Sequence, residues 1–200
     1  VFKYNMQPEL FTRENIHSLP FPSTEDGEYA RHYLIPMMND DPQKYIRNVY
    51  NTHLMAAKVG ETVIPITVSD FHPHNTYTVS PYSHYVSYGA FEEVKHLNNK
   101  LAEIVVKLVM TPVSWYFRYA DLDKVVFVNN YLLSTNLYPA VNSEQLSVLS
   151  EALIKWFPDR AIVFRSVDQK KNPHIYQTLG RLGYDLVLSR QVWYMDTAAA

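Results

Sequence analysis

The chain of 200 residues contains no cysteine. That removes disulfides, thiolate metal ligands and a cysteine nucleophile, and it fits a reducing, cytoplasmic setting. Glycine is scarce, five in all. None of the five falls in a paired-glycine dinucleotide loop, a phosphate-cradling P-loop or a Gly-x-Ser-x-Gly elbow. No apolar run approaches the ~20 residues that span a bilayer, so no membrane partner is expected. Excess charge is missing too. A formal net charge of −2 leaves no electrostatic footprint for nucleic acid.

What is present suits a globular domain. A hydrophobic content of 47 % in a chain this long supports one sizeable core. Tyrosine is the commonest aromatic residue at 16, which points to a rim of phenol hydroxyls around a cleft or an interface. Val1 is no initiator Met, and the chain closes on Ala198, Ala199 and Ala200. It is therefore expected to be a piece of a longer protein.

Residues 1–60 read as an irregular arm with short helices, because Pro8, Pro20, Pro22, Pro36 and Pro42 interrupt every candidate element. A short helix is expected over 25–34. A second is expected from Pro42 to about Val59, with Asp40 or Asp41 as cap, Tyr45, Ile46, Val49, Tyr50 and Leu54 as its stripe, and Gly60 as its stop. Residues 61–196 read as the main domain, and 197–200 as a tail. "TVIPITVS" (62–69) is a strand whose Pro65 argues for an edge or a bulge. It is expected to form a hairpin with "TYTVS" (76–80). A long helix should start at Ala90, its apolar face running from Phe91 and Val94 through Leu97 to Leu108, and end at Pro112. Beyond it the pattern is strand (124–134), helix (142–157), strand (161–167), helix (172–183) and a final strand (185–196). Asn142 and Gln145 are placed to cap the first of these helices. This alternation specifies an α/β fold with a mixed, twisted sheet and crossover helices.

The stretch "NPHIYQTLGRLGY" (172–184) carries a more specific pattern: Asn172, Ile175 three on, and Gly183 and Tyr184 eleven and twelve on. In this, and in the strand–helix order of residues 124–196, the chain resembles the second half of the GNAT acyltransferase fold. The resemblance implies a central strand opened against its neighbour to receive the thioester arm of acyl-CoA, and a helix covering the pyrophosphate. It further implies transfer of an acyl or aminoacyl group to an amine or other small-molecule acceptor. Two positions depart from the family's pattern. Leu179 stands where a thiolate-protonating Tyr is common, and Tyr176, one turn earlier, is the candidate to replace it. The loop before the covering helix, "STNLYPAVNSEQLS", has no Gly, Arg or Lys, and puts Glu144 in the first turn, where it disfavours a diphosphate. Tandem, FemAB-like members tolerate such losses in one half. The resemblance thus also admits a non-catalytic half-domain that binds a ligand or packs against a second GNAT-like domain.

Several side chains are dressed for chemistry. "VNNYLLSTN" places two adjacent Asn in an apolar strand, each costing about 2 kcal/mol or more if buried unpaired. Either Asn129, Asn130, Ser134, Thr135 and Asn136 line a cleft for an amide or carboxyl group, or they satisfy a strand bulge. Arg165 and Arg190 lie on strands expected to be neighbours. They either clamp an anion or pair with Asp168, Asp185 or Glu144. Asp70, His72 and His74 have metal-like spacing but no further ligand tied to them, so no metal is expected. His72, His74, His84, Glu92 and Glu93 are all eligible as a base, and nothing selects one. Tyr77, Tyr82, Tyr85 and Tyr88 either line a pocket or mark an interface.

Overall fold

The structure is a computed structural model that describes residues 6–96, 98–189 and 191–194. Five strands, β1 (Glu9–Phe11), β2 (Thr52–Val59), β3 (Thr62–Ser69), β4 (Val125–Val128) and β5 (Ala161–Phe164), form one sheet in chain order. The first four run antiparallel to their neighbours, and β4 and β5 are parallel. The sheet is therefore mixed, within an α/β architecture. Helices are α1 (Glu25–Asn39), α2 (Glu93–His96), α3 (Lys100–Tyr119), α4 (Ser143–Trp156) and α5 (Pro173–Arg181), with a π-helical segment at Ser83–Glu92.

The largest correction concerns residues 45–59. The expected helix is only a single 3-10 turn, Pro42–Lys44, and the chain then enters β2 at Thr52. Val59 pairs with Thr62, so Gly60 and Glu61 alone make the reversal, and Gly60 takes a left-handed φ of 57°. This glycine turns a hairpin rather than ending a helix. The partner of β3 is accordingly β2, not residues 76–80, which lie in a buried turn. The first sixty residues thus contribute helix α1, as expected, and also two of the five strands.

Pro65 does not mark an edge, because β3 lies between β2 and β4. It sits where the ladder with β4 breaks. Ile66 pairs with Val128, the next residue Asn129 turns left-handed (φ 59°), and the Asn130 N–H donates to the Pro65 carbonyl at 3.1 Å. A proline without an N–H is tolerated at such a break.

α1 runs five residues past its expected end and accommodates Pro36. α3 likewise passes through Pro112 to Tyr119. It begins at an Asn99 cap, so the long helix expected from Ala90 is divided. Leu97, part of its expected stripe, lies outside the described residues.

α4 matches its expected span, with both arms of the Asn142–Gln145 capping box present. α5 ends as its sequence dictates. Gly183 is left-handed (φ 88°), its N–H donates to the Gly180 carbonyl at 3.2 Å, and the Tyr184 N–H donates to Leu179 at 3.1 Å. That is a Schellman closure, and it accounts for the Gly-Tyr pair. The described residues of the expected last strand, 185–189 and 191–194, have no strand pairing.

Two cores flank the sheet. On one face α1 packs over β2 and β3 through Leu34, Met38, Leu54 and Val63. On the other, α4 and α5 cover β3 and β4 with Leu146, Leu149, Leu153, Ile175 and Leu179 over Ile64, Ile66 and Val126.

Candidate functional site

Alternation along β4 sends Val126 and Val128 under α4 and α5, and Val125 and Phe127 to the opposite face. Parallel pairing sets Phe127 beside Val163. Arg165, two residues on, points to the same side as Val163, and its guanidinium lies over the Phe127 ring at 5.5 Å. α1 does not reach this part of the sheet. Residues 77–85 cover it instead and leave a cavity of about 400 Å³. Phe127 and Val163 form its floor, Tyr77, His84 and Tyr85 one wall, and Arg165 and Ser166 one end. The cavity wraps the outer edge of β5, where Tyr184, Leu186 and Val187 close it. Its lining is mostly apolar, with a guanidinium, an imidazole and phenol rings at the periphery. Such a space fits an acyl chain or an aromatic ring with a polar end.

The residues singled out in the sequence separate into groups. Asn130, Asn136 and Arg165 share one network. Asn130 donates to Thr67 Oγ1 at 2.7 Å and to the Thr78 carbonyl at 3.0 Å. Its Oδ1 accepts from the Leu132 N–H at 3.0 Å and from Arg165. Arg165 also donates to the Leu133 carbonyl at 3.2 Å. Asn136 accepts from the Tyr131 N–H at 3.0 Å, and its own N–H donates to Ser166 Oγ at 3.1 Å. These contacts lace the end of β4 to the end of β5, just where the strands part.

Asn129 points the other way. It is fully buried, and its carboxamide makes no hydrogen bond of good geometry among the described residues. The Tyr138 hydroxyl lies beside it, equally without a partner of good geometry, and burial raises that phenol's pKa.

Ser134 and Thr135 are exposed on the loop after β4. Tyr176 is half-buried on α5 and does not line the cavity. Arg190 lies outside the described residues. Asp168 is engaged by the Tyr194 hydroxyl and by the Lys171 and Lys170 N–H groups at 2.8 Å each, which hold its carboxyl below the usual range. Asp70 pairs with Arg160 at 3.0 Å, and His72 stacks on Tyr50 at 4.1 Å. No group of three potential metal ligands occurs among the described residues.

Of the tyrosine cluster, Tyr77 and Tyr85 line the cavity, with His84 beside them, whereas Tyr82 and Tyr88 do not. Phe127 and Ser166 were not singled out. Phe127 was accessible in principle, since strand alternation and parallel pairing place it on Arg165's face.

The N-terminus of α4 is the second place of interest. Asn142 Oδ1 accepts from the Gln145 N–H at 2.9 Å, and Gln145 Oε1 accepts from the Asn142 N–H at 2.8 Å. The Gln145 Nε2 reaches the Val59 carbonyl at 3.0 Å and Thr62 Oγ1 at 3.1 Å. Ser143 and Thr178 hydroxyls meet at 2.7 Å, and a His174 ring nitrogen lies 3.0 Å from the Val141 carbonyl, so the start of α4 is fastened to α5. Asp26 and Glu61 line the small adjoining pocket. Compared with known proteins, the chain matches no family model, no curated protein and no solved structure.

Proposed function

We propose that this chain is a GNAT-like domain that binds an acyl or aromatic acceptor in the β4–β5 cavity while its own thioester-donor site is closed. In this reading it works beside a second, donor-binding domain. The strand and helix order supports the fold assignment: an interior strand β4, a covering helix α4, a parallel strand β5 and a further helix α5. The observation that carries the functional half is the self-capped start of α4. A diphosphate bound at a helix N-terminus needs free N–H groups and no competing negative charge. Here Asn142 takes the Gln145 N–H, and Glu144 stands in the first turn. The Ser143–Thr178 and His174–Val141 contacts close the neighbouring groove between α4 and α5.

The competing reading is a self-sufficient N-acyltransferase that uses acyl-CoA, with Tyr176 as proton donor. Thermal unfolding separates the two. A ligand at ~100 times its dissociation constant adds about 2.7 kcal/mol, which is a shift of several degrees for a chain of this size. The proposal expects no shift with CoA or acyl-CoAs. It expects a shift with small amphiphiles carrying an aromatic or acyl body and a carboxylate or amide end, weakened in Tyr85→Ala. A dose-dependent shift with CoA overturns it in favour of the enzyme. No shift with either class removes the cavity as a binding site.

A further inference from the structure

α3 is apolar on two faces, and only one of them is used. Val106, Met110, Val113 and Phe117 are half-buried against the rest of the molecule. No residue of this helix is buried. On the opposite side Leu101, Val105, Leu108, Trp115 and Tyr119 follow one another at alternating spacings of four, three, seven and four, with Pro112 completing the seven. This is a heptad seam. Ile104, Val109 and Tyr116 flank it. All eight of these hydrophobic side chains are between 51 % and 77 % exposed. A helix that is hydrophobic all round is normally buried, and soluble proteins rarely leave so large an apolar patch uncovered.

We infer that this face of α3 joins a second copy of the chain as an antiparallel helix pair about a two-fold axis. Three observations favour a copy of the same chain as occupant. First, the area suffices. Three aromatic rings and five aliphatic side chains at these exposures offer roughly 1,000 Å² per copy, above the ~800 Å² that each partner brings to a stable interface.

Second, the seam is complementary to itself when reversed, as an isologous contact requires. Centring the axis at Met110 sets Leu101 against the partner's Tyr119, Val105 against the partner's Trp115, and Leu108 against the partner's Pro112. The slim aliphatic end thus meets the bulky aromatic end in the outer layers, and the central layer pairs Leu108 with Pro112.

Third, charge is kept off the seam. Glu103 and Lys107 bridge each other at 2.6 Å, and together with Lys100 they lie outside it. Arg118 alone flanks it.

Sedimentation of the intact chain over a concentration series tests this. The expected mass is twice 23.3 kDa. Leu108→Glu, at a site exposed in the monomer, should weaken self-association at least 100-fold and leave the circular-dichroism spectrum unchanged. The chain has no cysteine of its own, so single cysteines report register cleanly. Val109→Cys, beside the axis, should form a disulfide-linked dimer under mild oxidation, and Leu101→Cys should not. A chain that stays monomeric at every concentration overturns the inference, whether or not it then binds anionic vesicles through α3. So does a dimer indifferent to Leu108→Glu. Self-cross-linking of Leu101→Cys overturns it in favour of a parallel pair.

Discussion

Asn129 and Asn130 are neighbours in the chain and equally inaccessible to solvent, yet their energetic roles are opposite. The Asn130 side chain makes four hydrogen bonds that tie β3, the 76–80 turn and Arg165 together. The Asn129 side chain makes none of good geometry among the described residues, with only the Tyr138 hydroxyl beside it, and its left-handed φ is one that Asn and Gly accept most readily. Asn130→Ala should therefore cost about 2–4 kcal/mol by leaving several buried groups unpaired. Asn129→Gly should stay within about 1 kcal/mol of the parent, because the lost packing is offset by removal of an unpaired amide. Urea titration of both variants decides, and equal losses would contradict this division of roles. The sequence made the need for partners legible at both positions. It did not say which side chain faces Thr67, because the break at Asn129 resets the alternation on which that inference depends.

Tyr33 adds a pH-dependent prediction at the same scale. Burial, reinforced by Tyr29, pushes its hydroxyl up to about 12, and the hydroxyl donates to the Tyr131 carbonyl. The folded chain holds this proton more tightly than the unfolded chain does, where tyrosine titrates near 10. Stability from this group is complete below pH 10 and is lost as pH rises toward 12. Tyr131 is raised in the same direction, again chiefly by burial. Tyr33→Phe should thus flatten, without abolishing, the alkaline fall in the urea midpoint. A slope unchanged in the variant would show that Tyr33 titrates as if exposed.

Among the elements, β2 shows why sequence pattern alone misled. Tyr45, Ile46, Val49, Tyr50 and Leu54 sit at helical spacing, and "LMAAKV" has no strict alternation, because β2 is covered on both faces and β1 and β3 flank it. The deciding signal was non-local: β3 demanded an antiparallel partner, and the Gly60–Glu61 reversal supplied it in two residues. α4 and α5 were legible because their caps are local. The hairpin turn and the α4 cap are joined by Gln145, which caps its own helix and reaches Val59 and Thr62 across the turn. A Cβ on Gly60 would approach that Gln145 nitrogen to 3.2 Å, at a φ that disfavours any side chain. Gln145→Ala is expected to cost about 2 kcal/mol, and Gly60→Ala about 1 kcal/mol. Because both act on one contact, the double variant should lose less than the sum, which a double-mutant cycle measures. Strict additivity would mean that the turn and the helix cap are independent.

Across the whole molecule, stability is distributed unevenly, and the distribution reflects what each part buries. β3 and β4 sit between two layers of side chains. Every residue of β3 is buried, and the same holds for β4. β5 is only half-covered along the cavity, and α3 buries none of its residues. The layered α/β body could be read from the strand–helix alternation. The cavity could not, because it arises where α1 stops short of β4 and β5, and the lateral reach of a helix is a tertiary property. Local opening tracks burial, so amide exchange should rank the elements. Amides of Ile64, Ile66, Val126 and Phe127 should exchange only through global unfolding. Amides of Leu101 to Tyr119 in dilute solution should exchange through a smaller opening, lower by about 2 kcal/mol or more. If α3 pairs with a second copy, its protection should rise with protein concentration while that of β3 stays fixed. The two quantities are read from one peptide-resolved exchange series. Equal protection of α3 and β3 in dilute solution would mean that α3 is integral to the core, contrary to its exposure. Protection of α3 that ignores concentration would leave the helix as an independent satellite of the sheet.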